Sequence, residues 1–538
     1  MASGFQVPTR PPAVGTHGMV ASPHQLASAA GLRVLQMGGS AVDAAIALNS
    51  TLGVVYPHMT GLGGDSFWLI YEAATGQVHG LNGSGRAAAQ ATLEYYRDRH
   101  YTELPSRGPL AAITVPGTVD AWCTAHDRFG RLPLDKILQA AIDYAEQGYP
   151  VSTSQELWTR RNRDLLSQDP FAQRCFLPQQ QVPNRGTVLT NGGLGQSLRA
   201  IARGGREAFY RGAIAAEITR HLKEQGGILT AADFANHRSD WVEPIATTYR
   251  GYRVLEMPPN TQGFAVLQML NLLEEYDLQS IGHHTADYYH LMVEVTKLAF
   301  ADRDRWLSDP DFVNIPIQEL ISKAYADRRR PLIDMAQARA YGPGIGDGDT
   351  TFCAVVDDQG NAVATIQSLY FDYGCGVVGG ETGIVLQNRG SFFSLNPAEA
   401  NCLAPGKRPF HTLIPALALN PAGDLEWVLG TMGGEGQPQT QVALLTRVID
   451  FGFDPQSAID WPRWLQGRTW GESTSRLSLE GRIPEAIQAE LARRGHPVAA
   501  LPDWAEQMGH AQMIHIPPET GVLWGGADPR GDGTALGW

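Results

Sequence analysis

The sequence predicts a globular protein of mixed α and β structure. Hydrophobic residues make up 43% of its 538 residues and charged residues only 18%. Burial can therefore offset the entropy that the chain loses on folding, and extensive disorder is excluded. Helical and strand patterns alternate to about Leu332, and a pair of strands follows. The length allows about three to four domains or one large layered unit, and no linker decides between them.

Apolar periodicity and glycine stops define the first elements. Residues 25–37 have apolar side chains at helical spacing, and Gly38-Gly39 ends this helix. The elements that follow it are a second, alanine-rich helix over 41–55, a glycine-bearing loop over 56–65, a strand over 67–71, a helix over 135–147 opened by a proline, and a helix over 263–275.

The character of the chain changes at residues 337–349, which contain four glycines and a proline in their last eight positions. This composition predicts a mobile, exposed segment. A strand over 350–356, a turn over 357–361 and a returning strand over 362–366 follow at once. The junction has two interpretations: a domain boundary, or a processing site that leaves a threonine as a new N-terminus.

An N-terminal threonine is a complete small catalytic unit. Its own α-amino group, with an ordinary pKa of about 7.7–8.0, can take the proton from its hydroxyl. Such a residue would allow amide hydrolysis in a chain that has no Gly-x-Ser-x-Gly, no His-Glu-x-x-His and no Walker motif. Thr350 is the candidate.

Charge and cysteine content exclude several classes of protein. The net charge of −13 and the absence of a basic run disfavour a nucleic-acid binder. No apolar run approaches the roughly 18 residues of a membrane span, and the N-terminus lacks a secretory signal, so we expect a cytoplasmic protein without membrane partners. Five widely spaced cysteines predict buried, reduced thiols.

Three further features are expected to have no special chemistry. His283, His284 and His290 lack the spacing of metal ligands, and the glycines of residues 61–64 lack the strand-to-helix setting of a phosphate loop. The alternating charges of residues 302–305 are interpreted as a solvated, self-paired helix face. No metal and no cofactor are expected.

An ordered set of short motifs is spread over nearly the whole chain. They are Gly18-Met19-Val20-Ala21-Ser22, Gly38-Gly39-Ser40-Ala41-Val42-Asp43-Ala44-Ala45, Leu62-Gly63-Gly64, Val115-Pro116-Gly117-Thr118-Val119, Met257-Pro258-Pro259, Thr350-Thr351, Val355-Val356-Asp357, Gly360-Asn361-Ala362-Val363-Ala364, Gly374-Cys375-Gly376, Glu381-Thr382-Gly383-Ile384, Lys407-Arg408-Pro409, Gly433-Gly434 and Ala527-Asp528-Pro529-Arg530. In identity and order this set resembles the γ-glutamyltranspeptidase family of self-cleaving N-terminal nucleophile hydrolases.

The resemblance implies an α+β fold, a four-layer αββα sandwich built by two chains from one self-cleaved proenzyme. Cleavage between Asp349 and Thr350 would give a large chain, 1–349, and a small chain, 350–538. These would form a heterodimer, and a dimer of heterodimers is a further option. Carried over by position, Thr350 is the nucleophile, Ser368 hydrogen-bonds it, and Gly433 and Gly434 supply the backbone N–H groups of the oxyanion hole.

The substrate-binding positions depart from the transpeptidase pattern. Tyr370 stands where the family has asparagine, Arg389 and Phe392 stand where it has glutamine and aspartate, and His411-Thr412 replaces a pair of serines. The family's arginine near Ser84 is matched only by Arg86, two residues on. The resulting cationic and aromatic site suits a carboxylate, because arginine is a planar fork of donors. The alternative for Arg389 is a structural salt bridge.

These departures resemble the amidohydrolase branch of the family, which includes oxamate amidohydrolase and cephalosporin acylases. The predicted function is hydrolysis of the amide of a small carboxylate-bearing, oxamate-like substrate, giving oxalate and ammonia through a threonyl ester. Three alternatives remain: a γ-glutamyltranspeptidase or glutathione hydrolase, a glutaryl acylase, and an inactive relative that serves as a binding protein.

Overall fold

Two seven-stranded antiparallel sheets dominate the computed structural model, which describes residues 8–339, 349–467 and 474–538, without the side chain of Asp349. The strands in these residues are β1 Ala13–Gly15, β2 Met19–Ser22, β3 Asp65–Glu72, β4 Gln77–Gly83, β5 Tyr149–Pro150, β6 Val188–Leu189, β7 Asp240–Val242, β8 Ile245–Tyr249, β9 Tyr252–Glu256, β10 Asp349–Val356, β11 Ala362–Tyr370, β12 Ala416–Leu419, β13 Leu425–Thr431, β14 Trp464–Gln466, β15 Leu477–Glu480, β16 Val498–Leu501, β17 Ala511–His515, β18 Leu523–Ala527 and β19 Thr534–Gly537.

Helices surround these sheets. Over the same described residues they are α1 Gln25–Gln36, α2 Ala41–Val55, α3 Leu93–Arg97, α4 Thr118–Phe129, α5 Leu134–Ile137, α6 Gln139–Gln147, α7 Thr153–Arg161, α8 Arg163–Leu166, α9 Pro170–Phe176, α10 Gly192–Tyr210, α11 Ala213–Glu224, α12 Ala231–Asn236, α13 Gly263–Leu273, α14 Leu278–Ile281, α15 Ala286–Trp306, α16 Ile317–Leu320, α17 Lys323–Arg329, α18 Gln437–Ile449, α19 Pro455–Asp460 and α20 Glu485–Arg493. None of them is both long and apolar enough to cross a membrane.

The first sheet has the strand order β19-β2-β10-β11-β3-β4-β7, and the second has the order β1-β18-β17-β13-β12-β9-β8. Each sheet contains strands from before and from after the Asp349–Thr350 bond. Neither side of that bond could therefore form a complete sheet alone. A small sheet, β14-β15-β16, and the pair β5-β6 lie outside these two.

Three apolar cores give the layers their order. Phe67, Phe352 and Ile366 of the first sheet pack with Leu417 and Val428 of the second, so the sheets lie face to face. The opposite face of the first sheet packs on α1, α2, α4, α6 and α10. The opposite face of the second packs on α13, α15, α18 and α19. The predicted four-layer αββα sandwich is confirmed.

Local sequence accounts for the central elements. Ser40 and Asp43 form a reciprocal capping box at the start of α2, with hydrogen bonds of 3.1 and 2.9 Å, and all fifteen residues of that helix are buried. The residues of β11 are buried on both faces because helices cover one and the second sheet covers the other. Four of the five cysteines are buried, and all five are free thiols.

Predicted and observed boundaries differ at a few places. The helix predicted over 135–147 is divided into α5 and α6, and the returning strand β11 extends to Tyr370 rather than Ile366. The mobile segment predicted over 337–349 falls mostly on residues 340–348, which lie outside the described residues.

Candidate active site

Thr350 lies at an irregularity near the start of β10. Asp349 pairs with Tyr370 and Thr351 pairs with Gln367, so a β-bulge interrupts the register at Thr350. The Thr350 side chain is fully buried. Its hydroxyl donates to Ser368 Oγ at 3.4 Å and accepts from Gln437 Nε2 at 3.4 Å. These long contacts hold the hydroxyl between the end of β11 and the start of α18.

The neighbouring hydroxyls have different partners. Ser368 Oγ accepts the Tyr370 N–H at 2.8 Å, which fixes its side chain at the end of β11. Thr351 Oγ1 instead donates to the carbonyl oxygen of Gln367 at 3.0 Å. Of the two adjacent threonines, Thr350 is therefore the one whose hydroxyl contacts Ser368.

Gly433 and Gly434 connect β13 to the segment that leads into α18. Their φ angles are 125° and 52°, a region that favours glycine over any residue with a Cβ atom. Upstream, a Cβ atom on Gly430 would lie 2.4 Å from the Phe352 ring, so glycine also allows β13 to approach β10. Gly434 is three residues before Gln437, whose side chain contacts Thr350. The glycine pair therefore belongs to the segment that leads to the Thr350 hydroxyl.

The environment of Arg303 differs from the solvated helix face predicted for residues 302–305. Arg303 is fully buried rather than solvated, and its Nη2 donates to Glu435 Oε2 at 2.6 Å. Its Nη1 donates to Gln262 Oε1 at 2.9 Å, and Gln262 Nε2 donates to the carbonyl oxygens of Gly434 and Thr412 at 3.1 and 2.9 Å. The solvated part of that interpretation is wrong, because Arg303 is buried against Glu435, a residue far away in the sequence. The self-pairing is observed, since Arg303 Nε also donates to Asp304 Oδ1 at 2.9 Å. Arg303 braces the glycine segment.

Arg389 is a fully buried guanidinium in an aromatic setting. Its Cζ lies 4.1 Å from the centre of the Tyr370 ring and 5.4 Å from that of Phe392. Nη1 donates to Thr412 Oγ1 at 3.1 Å, whereas Nε and Nη2 have no hydrogen-bond partner among the described residues. Burial lowers the pKa of Arg389 to about 10, so it stays charged at neutral pH. The salt-bridge alternative finds no carboxylate partner for it in the described part of the chain.

His411 and Asp65 form a second buried pair beside Arg389. His411 Nε2 and Asp65 Oδ2 are 3.0 Å apart, and both side chains are fully buried. Burial, and then the charge of Arg389, lower the pKa of His411 to about 3. The imidazole is therefore neutral at physiological pH and donates its Nε2–H to the carboxylate. Asp65 Oδ1 also accepts the Gly85 N–H at 2.9 Å.

Arg86 is held apart from this group. Its guanidinium lies 3.3 Å from Asp240, 3.5 Å from Asp309 and 3.2 Å from Asp311, and a third of its side chain is exposed. The structure does not bring it to Arg389, and its role as a carboxylate ligand stays a prediction.

A cavity of about 1010 Å³ opens beside Tyr370 and Phe392. Its lining includes aromatic residues such as Tyr101, Phe393 and Phe410, together with charged ones such as Arg303 and Glu399. The stacked rings of Tyr370 and Phe392, with centres 4.5 Å apart, line this cavity and also contact the Arg389 guanidinium. The space next to the candidate site is therefore much larger than a two-carbon acid requires.

The structure thus brings together Thr350 and Ser368, and it gathers the predicted binding residues Tyr370, Arg389, Phe392, His411 and Thr412. Sequence reasoning missed Asp65, Gln262, Arg303, Glu435 and Gln437. The position of Gln437, three residues after Gly434, is a sequence signal that could have indicated a residue near the proposed oxyanion hole.

Comparison with known proteins agrees with this geometry. Residues 27–538 match the model of the family described as gamma-glutamyltranspeptidase. The chain belongs to this family. It is an N-terminal nucleophile hydrolase, made as a proenzyme that processes itself.

Relatives within the family have different names. The chain is 47% identical to the glutathione hydrolase-like YwrD proenzyme of Bacillus subtilis (97% of this chain, 99% of the relative). It is 42% identical to the oxamate amidohydrolase proenzyme of Klebsiella pneumoniae (98% and 99%). The crystal structure of cephalosporin acylase from Bacillus halodurans matches with a TM-score of 0.92 at 38% identity (100% and 99%).

Proposed function

We propose that this enzyme hydrolyses the amide of a small carboxylate-bearing substrate, of which oxamate is the type, with Thr350 as nucleophile. The proenzyme is cleaved between Asp349 and Thr350. The resulting large chain, 1–349, and small chain, 350–538, stay together as a heterodimer because both contribute hydrogen-bonded strands to each of the two sheets. A cytoplasmic location and pairing of heterodimers stay predictions.

Maturation follows from the chemistry of the threonine. The Thr350 hydroxyl attacks the carbonyl carbon of Asp349, the peptide C–N bond breaks, and the acyl group moves to Oγ while the hydroxyl proton passes to the new amino group. Water then hydrolyses the ester, which gives a carboxylate at Asp349 and restores the hydroxyl. The freed α-amino group becomes the base of the mature enzyme.

Substrate hydrolysis repeats these steps on an external amide. The α-amino group takes the proton as Thr350 Oγ attacks the amide carbon, and the N–H groups of Gly433 and Gly434 stabilise the oxyanion. The C–N bond breaks, ammonia leaves with that proton, and a threonyl ester remains. Water hydrolyses this ester and releases the second carboxylate, so oxamate and water give oxalate and ammonia.

The observation that carries the proposal is the buried, incompletely bonded guanidinium of Arg389. A buried cation without a counter-ion is costly, and a substrate carboxylate would compensate it. A γ-glutamyl substrate would also bring an ammonium group, and that group would meet Phe392 and Arg389 rather than a carboxylate. The 42% identity to an oxamate amidohydrolase proenzyme supports the same choice.

The test is a hydrolysis panel with purified, processed protein. Oxamate, a γ-glutamyl anilide, glutathione and glutaryl amides are compared by kcat/KM, for the wild type and for Arg389→Gln and Arg86→Gln. We expect oxamate to rank first and Arg389→Gln to raise its KM at least tenfold, while Arg86→Gln changes it little. Transfer from glutathione to a dipeptide without cleavage of simple acid amides would restore the transpeptidase alternative.

The large cavity favours a second candidate, an acylase that acts on longer amides. A cavity of about 1010 Å³ with aromatic lining could hold a bulky leaving amine, and the structural match to a cephalosporin acylase is in line with this. In the panel, a glutaryl amide of a bulky aromatic amine would then exceed oxamate in kcat/KM. A chain that fails to process itself and to hydrolyse any member would favour the inactive relative.

A further inference from the structure

Three metal-ligating side chains converge outside the active site: His290 and Glu294 of α15, and His496 beyond α20. Their ligand atoms all lie within 4.8 Å of one another, and it is the one such cluster in the part of the chain that the structure describes. The exposed fractions of the three residues are 0%, 0% and 3%. Two imidazoles and a carboxylate that converge in this way are a common set of metal ligands in proteins.

The helix sets the geometry of two ligands. His290 and Glu294 are one turn apart on α15 and so lie on the same face. α20 packs against α15, and His496 Nε2 then lies 2.8 Å from His290 Nδ1. The sequence pattern grouped His290 with His283 and His284, but His290 meets a histidine 206 positions away.

The other ring nitrogen of His290 is fixed by a backbone carbonyl. His290 Nε2 donates to the carbonyl oxygen of Asp334 at 2.8 Å. This hydrogen bond places the proton on Nε2 and leaves the lone pair of Nδ1 pointing toward His496. Histidines that bind metals are commonly oriented by such a bond from the nitrogen that is not a ligand.

We propose that His290 Nδ1, His496 Nε2 and the Glu294 carboxylate form a binding site for a divalent transition metal, with Zn²⁺ as the best match. Two imidazoles and one carboxylate suit zinc, whereas calcium and magnesium prefer oxygen ligands alone. Tetrahedral bonds of about 2.0–2.1 Å place two nitrogen ligands about 3.3 Å apart, so the histidines separate by about half an ångström from their 2.8 Å contact. Water completes the fourth position.

Lys297 competes with the metal for Glu294. Its Nζ lies 2.8 Å from Glu294 Oε1 and also donates to the Arg339 carbonyl oxygen at 3.1 Å. Metal binding therefore displaces this ammonium group, whose side chain is already partly exposed. Removing the Lys297 charge should strengthen metal binding, an effect that a purely structural hydrogen-bond network does not predict.

The site would join the two proposed chains. His290 and Glu294 precede the Asp349–Thr350 bond and His496 follows it. Asp334 and Arg339, near the end of the proposed large chain, also bond to the cluster, the latter through its N–H to Glu294 Oε2 at 3.2 Å. The statement that the metal joins two chains rests on the proposed cleavage position, whereas metal binding itself does not.

The experiment is a Zn²⁺ titration of purified full-length protein after treatment with a chelator, followed by calorimetry. We expect one bound Zn²⁺ per 538-residue protein, whether cleaved or not. Binding should be at least tenfold weaker for His290→Gln and His496→Gln and tighter for Lys297→Met. His283→Gln, which removes a histidine outside the cluster, is the matched control and should bind as the wild type does. Intact mass measured on the same samples reports cleavage separately.

Co²⁺ provides a second readout that does not require the histidine variants to fold. Bound in this site in the wild type, it should give the visible absorption of a tetrahedral nitrogen and oxygen environment, and excess Zn²⁺ should remove that absorption. The proposal is overturned if the wild type binds no stoichiometric Zn²⁺, or if Lys297→Met and the histidine variants bind it as His283→Gln does.

Discussion

The side-chain amide of Gln437 donates to the hydroxyl of Thr350 at 3.4 Å. Gln437 is the first residue of α18, and its Oε1 accepts the Ile414 N–H at 3.3 Å, which orients the amide. Both residues are fully buried. The amide connects the proposed nucleophile to the segment that carries Gly433 and Gly434.

Replacing Gln437 with alanine should slow the chemistry more than it weakens substrate binding. A neutral hydrogen bond contributes about 0.5–1.5 kcal/mol, so we expect kcat to fall by about two- to thirteenfold with little change in KM. Gln439→Ala is the matched control, because Gln439 is a buried residue of the same helix whose amide donates to the Gln466 carbonyl instead. Equal losses in both variants would argue for a general effect on α18.

The two adjacent threonines allow a direct test of the cleavage position. Wild-type protein should give two chains, residues 1–349 and 350–538, in intact mass measurements. Thr350→Ala should remain a single chain because it lacks the attacking hydroxyl. Thr351→Ala should be cleaved normally, since the Thr351 hydroxyl is bonded to the Gln367 carbonyl. Cleavage of Thr350→Ala at the wild-type rate would remove Thr350 from the mechanism.

Local patterns predicted the elements that carry Thr350, the proposed nucleophile. The apolar run over 350–356 and the turn after it correspond to β10 and the start of β11, and α2 has the predicted bounds. The apolar composition of these segments predicts that they are buried, because an apolar strand has few stable locations other than the core. The four-layer topology came only from the family resemblance, since strand order depends on contacts between distant segments.

Side-chain partners far apart in the sequence could not be predicted in the same way. Arg303 stands in an alternating charge run that is typical of exposed helices, and nothing near it indicates Glu435, which lies 132 positions away. The sequence predicts Arg389 as a carboxylate ligand and leaves open whether Arg86 is another. The aspartates that surround Arg86 come from separate segments, so only the three-dimensional structure distinguishes the two arginines.

The pair formed by Arg303 and Glu435 should contribute strongly to stability. Removing one partner of a buried ion pair costs about 3–5 kcal/mol, because the other charge stays buried. Arg303→Met should therefore lower the free energy of unfolding by about that amount, measured by urea unfolding in the Thr350→Ala background so that a single chain unfolds.

Two further variants separate charge pairing from packing. Arg303→Met combined with Glu435→Gln should recover part of the loss, because the charge of Glu435 is no longer buried without Arg303, although Asp304 still loses its ion pair with Arg303. Arg305→Met is the control: this arginine is two residues away and exposed, and its loss should change the free energy by less than about 0.5 kcal/mol. A loss in Arg303→Met no larger than in Arg305→Met would contradict the bracing role.

Buried neutral histidines should make the folded protein sensitive to mild acid. Burial, and then Arg389, lower the pKa of His411 from 6.5 to about 3, and burial also lowers the pKa of His58 and His237. Between the lowered pKa of each histidine in the folded chain and 6.5, the unfolded chain binds protons that the folded chain does not. The contribution of these histidines to the free energy of unfolding is therefore fully present above pH 6.5 and decreases as the pH falls. Each such histidine contributes a slope of about 1.4 kcal/mol per pH unit.

His411→Gln tests this slope, because the glutamine amide can still donate to Asp65 but does not titrate. The free energy of unfolding, measured with urea in the Thr350→Ala background from pH 7 to 4.5, should depend less steeply on pH in this variant than in its parent, by about 1.4 kcal/mol per pH unit below pH 6. The exposed His17 serves as the control, and His17→Gln should leave the slope unchanged. Protonation of carboxylates lowers stability mainly below about pH 5, and both proteins share these carboxylates, so they do not account for a difference between the two slopes. Parallel pH profiles for His411→Gln and its parent would mean that His411 titrates alike in the folded and unfolded chains, and that its imidazole is not held neutral beside Arg389.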